Sequence, residues 1–275
     1  MLEAAGLVLL GAAVGTFGTV VGAGGGFLLV PILLLIYPDE SPRTITAMSL
    51  FTVMLNAASG SLAYARQRRI DYRSGLLFAL ATLPGAFAGA IVVQHIPRRA
   101  FAAIFAAVLG SVGVYLLLRR AYSGFREPLS GRGVVHRRIR DSNNVTWRYS
   151  YRLWQGMVIS LGVGFVSTLL GIGGGIVHMP IMAIVLHFPI HIAAATSQFV
   201  LGLMAVEGIS IHFATGTLGW DENLGRAALL AAGAIPGAQV GAVIARRLPG
   251  EHIIRALGGA LLLVALRLGY TAITG

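Results

Sequence analysis

The feature that most constrains this chain is a glycine cluster that occurs twice inside apolar sequence. Residues 22–31 read GAGGGFLLVP, and residues 171–180 read GIGGGIVHMP. In both places apolar residues run directly into the glycines and directly out of them. Backbone can be unwound inside a membrane only where it is buried in protein or lines a cavity. The duplicated break therefore predicts an internal repeat and marks a candidate binding site.

The composition predicts an integral membrane protein. Of the 275 residues, 56% are hydrophobic and only 11% are charged, which leaves no room for a large soluble domain. The net charge of +11 comes from arginines that cluster between apolar segments, as expected for cytoplasmic loops, so nucleic acid is not an expected partner. The chain has no cysteine, which excludes disulfides and cysteine-ligated metals. The start of the chain is interpreted as a retained first segment, because it lacks the positive region of a signal peptide.

Apolar segments predict how the chain crosses the membrane. They fall at about 4–21, 27–37, 44–65, 74–94 and 99–118, and again at about 153–170, 176–187, 192–213, 227–245 and 253–271. The second segment of each set is long enough for only about half of a ~30 Å hydrocarbon core. We therefore predict an all-α integral membrane protein with two inverted-topology repeats, each a glycine-broken re-entrant or short-helix hairpin plus three transmembrane helices. Ten full spans are the alternative, and either arrangement inverts the second repeat.

Further matched positions extend the repeat over nearly the whole chain. The matches are Pro84-Gly85 with Pro236-Gly237, Pro97 with Pro249, and Ser49-Leu50-Phe51 with Ser197-Gln198-Phe199. We predict a first membrane repeat at 1–120, a basic cytoplasmic linker at 121–150 and a second membrane repeat at 151–275. The linker has no sustained apolar period, so we expect a solvated connector.

The arginines are divided unequally between the two faces of the membrane. Sixteen of the 21 lie in the connections 66–73, 119–152 and 246–255, and five lie elsewhere. The positive-inside bias makes the first face cytoplasmic. The prediction is therefore a protein of the cell inner membrane with both termini outside and the linker inside.

The glycines of the two motifs are the leading candidates for substrate binding. They permit positive φ and close approach of the backbone, and each cluster opens a short helix whose free N–H groups and positive dipole end face the membrane centre. Two such ends would form a cradle for an anion. Tight helix packing is the alternative explanation of these small residues. The candidates are Gly24, Gly25, Gly26, Gly173, Gly174 and Gly175.

Polar side chains near the motifs are candidates for lining the same site. Ser49 and Asn56 lie in one apolar segment, and Thr196 and Ser197 lie in the equivalent segment of the second repeat. Hydroxyls in membrane helices often bond only to their own backbone, so alignment by the repeat is what singles out Ser49 and Ser197 with Thr196. Asn56 is added because it recurs with Ser49 at helical spacing. His178 follows the second glycine cluster by three residues and is either a donor to the anion or a packing residue.

Glu207 is the only acid well inside an apolar segment. A carboxylate is costly there and normally faces a cavity or titrates. We therefore consider Glu207 a candidate for proton coupling, and a buried acid hydrogen-bonded to Ser210 or to a neighbouring helix is the alternative. No metal-ligand spacing and no nucleophile–base pair is visible, so we expect neither a cofactor nor an enzyme.

With these residues identified, the chain resembles the TauE/SafE family of membrane permeases, also called sulfite exporters or anion permeases. The resemblance rests on residues 21–26 with Pro31, on residues 171–175 with Pro180, and on residues 195–197. It implies a multi-pass transporter for sulfite, organosulfonates such as sulfoacetate, or another small sulfur-containing anion, commonly in the export direction. The arginine-rich central linker departs from the family pattern.

The predicted function is a secondary transporter, in the export direction, that alternates access around the two glycine breaks. A passive anion channel with the same cradle is one alternative. A membrane scaffold in which the glycines only pack helices is another. The expected partners are a small anionic substrate, the lipid bilayer and a proton or sodium coupling ion, and the sequence is compatible with a homodimer.

Overall fold

Ten helices and one β-hairpin make up the part of the chain that the structure describes. The computed structural model describes residues 2–118, 131–172, 175–214, 216–217 and 222–274. The first half contains α1 (Leu2–Val20), α2 (Gly26–Ile36), α3 (Pro42–Arg66), α4 (Tyr72–Val92), a 3-10 turn (Val93–His95) and α5 (Arg98–Leu118). Strands β1 (Val134–Arg140) and β2 (Thr146–Arg152) follow. The second half contains α6 (Leu153–Leu170), α7 (Gly175–Ile184), α8 (Ile190–Ala214), α9 (Glu222–Arg247) and α10 (Gly250–Thr274).

Within the described residues, eight helices are long and apolar enough to cross a membrane, and α2 and α7 are the two short ones. The prediction of an all-α multi-pass membrane protein with two sets of five segments is confirmed. Helix α2 has 11 residues and α7 has 10, which is too few to cross a hydrocarbon core of ~30 Å. The alternative of ten full spans therefore does not fit the structure.

Local sequence fixes where the long helices begin. Helix α3 starts with Pro42, and the Oγ of Ser41 accepts a hydrogen bond from the N–H of Thr44 at 3.1 Å. Helix α4 starts after Asp71, whose carboxylate accepts a hydrogen bond from the N–H of Ser74 at 3.1 Å. A proline in the first turn gives up no hydrogen bond, and a side-chain oxygen satisfies one of the free N–H groups. Both starts therefore lie at the boundary of an apolar segment.

Each short helix runs back along the helix that precedes it. Tyr37 follows α2, and its hydroxyl donates to Oε1 of Glu3 at the start of α1 at 3.0 Å. Phe188 follows α7, and its ring centroid lies 5.0 Å from that of Tyr151, just before α6. The two ends of each pair are thus close together, as in the predicted glycine-broken hairpins.

The two halves exchange helices. Helix α1 packs along α9, and α6, which matches α1 in the repeat, packs along α4, which matches α9. The matched pairs α3 with α8 and α5 with α10 also pack on each other. A Cβ on Gly11 or Gly233 would overlap a carbonyl oxygen of the facing helix, and the same holds for Gly85 and Gly164 between α4 and α6. Glycine therefore sets the close approach of both exchanged pairs.

The β-hairpin corrects the prediction of a solvated connector. Its strands pair antiparallel, with Arg138 opposite Arg148, and the side chains of Asp141 and Tyr151 are buried. The described part of the predicted linker is therefore folded and packed against the helices. The division into repeats at 1–120 and 151–275 stays a prediction, and residues 119–130 lie outside the described residues.

Candidate functional site

The two glycine breaks meet inside the helix bundle. Gly26, at the start of α2, lies against the carbonyl oxygen of Gly171, and Gly175, at the start of α7, lies against the carbonyl oxygen of Gly22. All four residues are buried. Each short helix therefore begins against the break of the other repeat, which is the arrangement that the predicted cradle needs. Two of the predicted binding residues lie outside the described residues, namely Gly173 and Gly174.

The first break is built from glycines with left-handed backbone. The angle φ is 68° at Gly22, 69° at Gly24 and 85° at Gly25, values that residues with a side chain rarely adopt. The N–H of Gly24 donates to the carbonyl oxygen of Gly18 at 3.1 Å. Helix α2 then begins at Gly26 without a side-chain cap, so the positive end of its dipole is directed at the break.

Each break is covered by the third helix of the other repeat. Ala194 of α8 lies over Gly22, and Thr46 of α3, at the matching position, lies over Gly171. Ser49, one of the predicted lining residues, donates from Oγ to the carbonyl oxygen of Gly171 at 2.8 Å. Ser49 therefore holds the unwound backbone of the second break in place.

A chain of buried polar side chains surrounds the first break. Nδ2 of Asn56 donates to the carbonyl oxygen of Gly24 at 3.1 Å, and Oγ1 of Thr19 lies 3.5 Å from Oδ1 of Asn56. Nε2 of Gln198 donates to Oγ1 of Thr19 at 3.3 Å, and the hydroxyl of Tyr64 donates to the carbonyl oxygen of Thr19 at 2.7 Å. The sequence pattern predicts a role here for Asn56 but not for Thr19, Tyr64 or Gln198.

Two adjacent side chains of α8, the helix that covers this break, have polar atoms without hydrogen-bond partners. Oγ of Ser197 and Oε1 of Gln198 are both buried and unpaired. Buried polar atoms without partners are costly. A ligand with hydrogen-bonding atoms would therefore gain partners at this place.

The structure places Thr196 and His178 in contacts outside the breaks. Oγ1 of Thr196 accepts a hydrogen bond from the N–H of Asp71 at 3.0 Å. Nε2 of His178 lies 3.1 Å from Oγ of Ser160, and its ring packs edge-on against Phe78 with centroids 5.7 Å apart. Because the hydroxyl of Ser160 donates to a carbonyl of its own helix, Nε2 of His178 is the donor in this pair. Both predicted side chains are thus held by other parts of the protein.

Glu207 lies on the flank of α8. Leu201 and Gly208 are seven residues apart and face the packed interior, whereas Glu207 is rotated by about 100° from Gly208. Its side chain is half-buried, and its Oε2 has no hydrogen-bond partner. Ser210 donates to the carbonyl oxygen of Val206 at 2.6 Å. Ser210 therefore does not donate a hydrogen bond to Glu207, which was one alternative for this acid.

The β-hairpin docks on the α3–α4 connection at one end of the bundle. Oδ2 of Asp71 accepts hydrogen bonds from Tyr149 at 2.8 Å and from Ser74 at 2.5 Å, and it pairs with Nε of Arg137 at 3.2 Å. Burial, together with the negative charge of Asp71, raises the pKa of Tyr149. The hydroxyl of Tyr149 therefore stays protonated and keeps donating to Asp71.

Neutral groups surround both breaks. Among the described residues of the two breaks, the side chains that bond to break backbone are Ser49 and Asn56. In the described helices the arginines lie towards the helix ends, apart from the exposed Arg267 on α10. Across the part of the chain that the structure describes, no set of three His, Cys, Asp or Glu side chains could hold a metal ion. An anion at the breaks would therefore depend on helix ends and on uncharged donors.

Long membrane-spanning helices surround two helices that are broken by glycines and meet in the interior. This arrangement is typical of multi-pass membrane transporters. The family described as "Sulfite exporter TauE/SafE" matches residues 7–268, and the chain belongs to that family. It is 30% identical over 273 residues to the probable membrane transporter protein YunE of Bacillus subtilis (strain 168), with 97% of each chain covered. It is 26% identical over 257 residues to a probable membrane transporter protein of Methanocaldococcus jannaschii, with 90% of this chain and 88% of the relative covered. No solved structure matches the chain.

Proposed function

We propose that this protein is a secondary transporter that exports small sulfur-containing anions, such as sulfite or organosulfonates, across the cell inner membrane. The observation that carries the proposal is the meeting of the two glycine breaks in the buried centre of the bundle. Membership of a family described as sulfite exporters supports the choice of substrate. The export direction rests on that description as well.

Neutral groups at the breaks suit a small anion of low charge. The helix dipole places about half a positive charge at the start of each short helix, and two starts lie in one interior region. The unpaired hydroxyl of Ser197 and the amide of Gln198 add uncharged groups. Moving a second negative charge out of water would cost far more than moving one. We therefore expect a singly charged anion, such as hydrogen sulfite or a sulfonate, to bind in preference to sulfate.

Alternating access between inverted halves is the mechanism that we propose. The exchanged packing of α1 with α9 and of α6 with α4 supports a two-fold relation between the halves. Contacts at the helix ends support the inversion. In the first glycine-broken pair, the start of α1 and the end of α2 lie near Arg226 at the start of α9. Arg226 pairs there with Glu3 at 3.9 Å and with Glu40 at 3.6 Å. In the second glycine-broken pair, α6 with α7, the corresponding ends lie against strand β2.

Orientation can be tested with single cysteines, because the natural chain has none. The division of the arginines predicts that the end of the bundle at which the β-hairpin docks, called the hairpin end below, is cytoplasmic. A cysteine at the exposed Asp39 should react with an impermeant maleimide in intact cells, and one at the exposed Ser142 should react only after permeabilisation. Labelling of Ser142→Cys in intact cells would reverse the proposed orientation.

Flux into proteoliposomes tests the proposed function. Purified protein should move sulfite and methanesulfonate with saturable kinetics, and it should move sulfate and acetate far more slowly. An imposed proton or sodium gradient should drive accumulation. An electrical current without saturation would instead support the passive channel. A well-folded protein that moves none of these anions would support the scaffold.

Glu207 supplies the variant for the proton arm of the same assay. A half-buried carboxylate without a hydrogen-bond partner on Oε2 is suited to binding and releasing a proton. If it couples transport to protons, Glu207→Gln should keep anion exchange but lose accumulation driven by a pH gradient. Unchanged accumulation by the Gln variant would remove Glu207 from the proposal, because glutamine preserves its shape but carries no titratable proton.

A further inference from the structure

Arg69 is a buried arginine whose guanidinium is mostly unpaired. It lies in the connection between α3 and α4 and is 5% exposed. Its Nη2 lies 3.3 Å from Oδ2 of Asp141, whereas its Nε and Nη1 are buried without any hydrogen-bond partner. A guanidinium carries five N–H donors and stays charged at any physiological pH. One ion pair does not explain why a guanidinium with free donors is buried away from water.

Asp141 pairs with only part of the Arg69 guanidinium, because three other groups also donate hydrogen bonds to the Asp141 carboxylate. Oδ1 accepts hydrogen bonds from the N–H groups of Asn143 and Val145 at 2.9 and 3.0 Å, and Oδ2 lies 3.4 Å from Nε1 of Trp147. Burial opposes ionisation, but these hydrogen bonds and Arg69 outweigh it and lower the pKa of Asp141. The carboxylate therefore stays ionised and would repel a second anion at Arg69.

Tyr64 links the segment that carries Arg69 to the polar chain around the first glycine break. The N–H of Arg69 donates to the carbonyl oxygen of Tyr64 at 3.2 Å. At the other end of the same residue, the buried hydroxyl of Tyr64 bonds to Thr19, which belongs to the polar chain around the break. Arg69 thus lies at the hairpin end of the bundle, and Tyr64, which its backbone contacts, reaches the polar chain around the proposed substrate site.

We infer that Arg69 forms an anion-binding site at the hairpin end, where Nε and Nη1 take oxygen atoms of a small oxyanion before it reaches the first break. Arginine suits this task because its planar donors match the oxygen atoms of carboxylates, phosphates and similar groups. The identity of the anion as a sulfur compound rests on the proposed function. The site itself rests on the buried, unpaired guanidinium.

Trp147 offers a local reporter for this site, because its indole contacts the same carboxylate as Arg69. The chain has three tryptophans, so Trp154→Phe with Trp220→Phe leaves Trp147 as the single emitter. In purified full-length protein, titration with methanesulfonate should change Trp147 fluorescence with a saturable curve. Sodium acetate and sodium sulfate at matched ionic strength show whether the response depends on anion type or on salt alone.

Three variants in that background separate anion binding from hairpin docking. Arg69→Gln should weaken methanesulfonate binding by about tenfold or more, because a charged donor is lost. Asp141→Asn should strengthen it severalfold, because the repelling charge is removed. Arg137→Gln is the matched control, since Arg137 also ties the hairpin to the α3–α4 connection through an aspartate. It should leave the binding constant within about twofold of the parent.

The outcomes also separate this site from the proposed function. Equal weakening by Arg69→Gln and Arg137→Gln would mean that Arg69 only docks the hairpin, and would overturn the site. Weaker binding by Asp141→Asn, or no saturable response in the parent, would overturn it as well. A saturable Trp147 response in a protein that transports no sulfur anion would leave the site standing and reject the proposed function.

Discussion

Replacement of Gly164 by leucine is expected to disrupt the packing of α6 on α4, whereas the same replacement at Gly162 should leave the fold intact. A Cβ at Gly164 would overlap the carbonyl oxygen of Thr82 in α4, and that oxygen belongs to helix backbone that cannot move aside. A Cβ at Gly162 would have nothing within 4 Å. Two positions in one helix thus differ only in what faces them.

The expected sizes follow from the cost of overpacking. Leucine at Gly164 should lower the free energy of unfolding by about 3 kcal/mol or more, which corresponds to a Tm lower by roughly 6–12 °C in a chain of this size. Alanine at the same position should already cost a measurable part of this, because Cβ alone overlaps. Leucine at Gly162 should change stability by about 1 kcal/mol or less.

Thermal unfolding of the purified variants in detergent measures these differences. Equal Tm values for Gly164→Leu and Gly162→Leu would contradict the close approach of α6 and α4. Yield alone is not a sufficient measure, because membrane insertion also affects it. Both variants add the same side chain to α6, so a difference between their Tm values does not come from a difference in hydrophobicity.

The sequence predicts the helices of this protein well because its signals are local. Apolar segments and the two glycine clusters determine which residues are helical, where the short helices begin, and how many segments can span. Which helix packs on which is not a local property. The small faces of α1 and α6 predict close neighbours, but the exchange that joins α1 to α9 and α6 to α4 depends on how the two halves come together.

The hairpin was missed because its stabilising partners are distant in the chain. Strand β1 reads VVHRRIR, in which arginines hide the apolar alternation expected of a half-buried strand. Its inward-facing Arg137 is tolerated because Asp71 neutralises it at 3.2 Å. Tyr149 is likewise half-buried and donates to the same aspartate. No pattern within the linker indicates that a carboxylate far back in the chain will meet these side chains.

The candidate site was predicted in part for a similar reason. The glycines, Ser49 and Asn56 stand out because they repeat or interrupt apolar sequence, and the structure brings those of them that it describes together at the breaks. Thr196 stands beside the repeated Ser197, but its hydroxyl accepts a hydrogen bond from Asp71 instead. Gln198 was overlooked although it stands directly beside Ser197. A comparison of the repeats gives the missing signal, because the position that matches Gln198 is Leu50.

That difference between the repeats makes the first break the polar one. Asn56 and Gln198 surround it, whereas the matching position in the other repeat is Met204 for Asn56 and Leu50 for Gln198. An amide is costly to bury where leucine would fit the same helix, more so when one of its ends has no partner. We therefore expect Gln198 to serve substrate binding at a cost in stability, which is a common trade at functional sites.

Gln198→Leu is accordingly expected to give a protein that is as stable as the parent or more stable, but that transports poorly. Removing an amide with an unpaired end relieves a buried cost, so Tm should stay the same or rise. Methanesulfonate only accepts hydrogen bonds, so Gln198 would hold it through an amide N–H, and loss of that donor should lower flux at subsaturating concentration by about tenfold or more. Gln239→Leu is the matched control, because Nε2 of Gln239 bonds to Ser59 at 2.7 and 2.8 Å on the α3–α9 interface.

The control should behave in the opposite way, with flux close to that of the parent and a lower Tm, because two satisfied hydrogen bonds are lost together. Both proteins are reconstituted at equal density, and flux and Tm are measured on the same preparations. If Gln198→Leu lowered Tm as Gln239→Leu does and kept normal flux, Gln198 would be a packing residue. The substrate would then have to be held at the first break by its backbone, Ser197 and Asn56, and the two repeats would contribute to binding more equally than their side chains suggest.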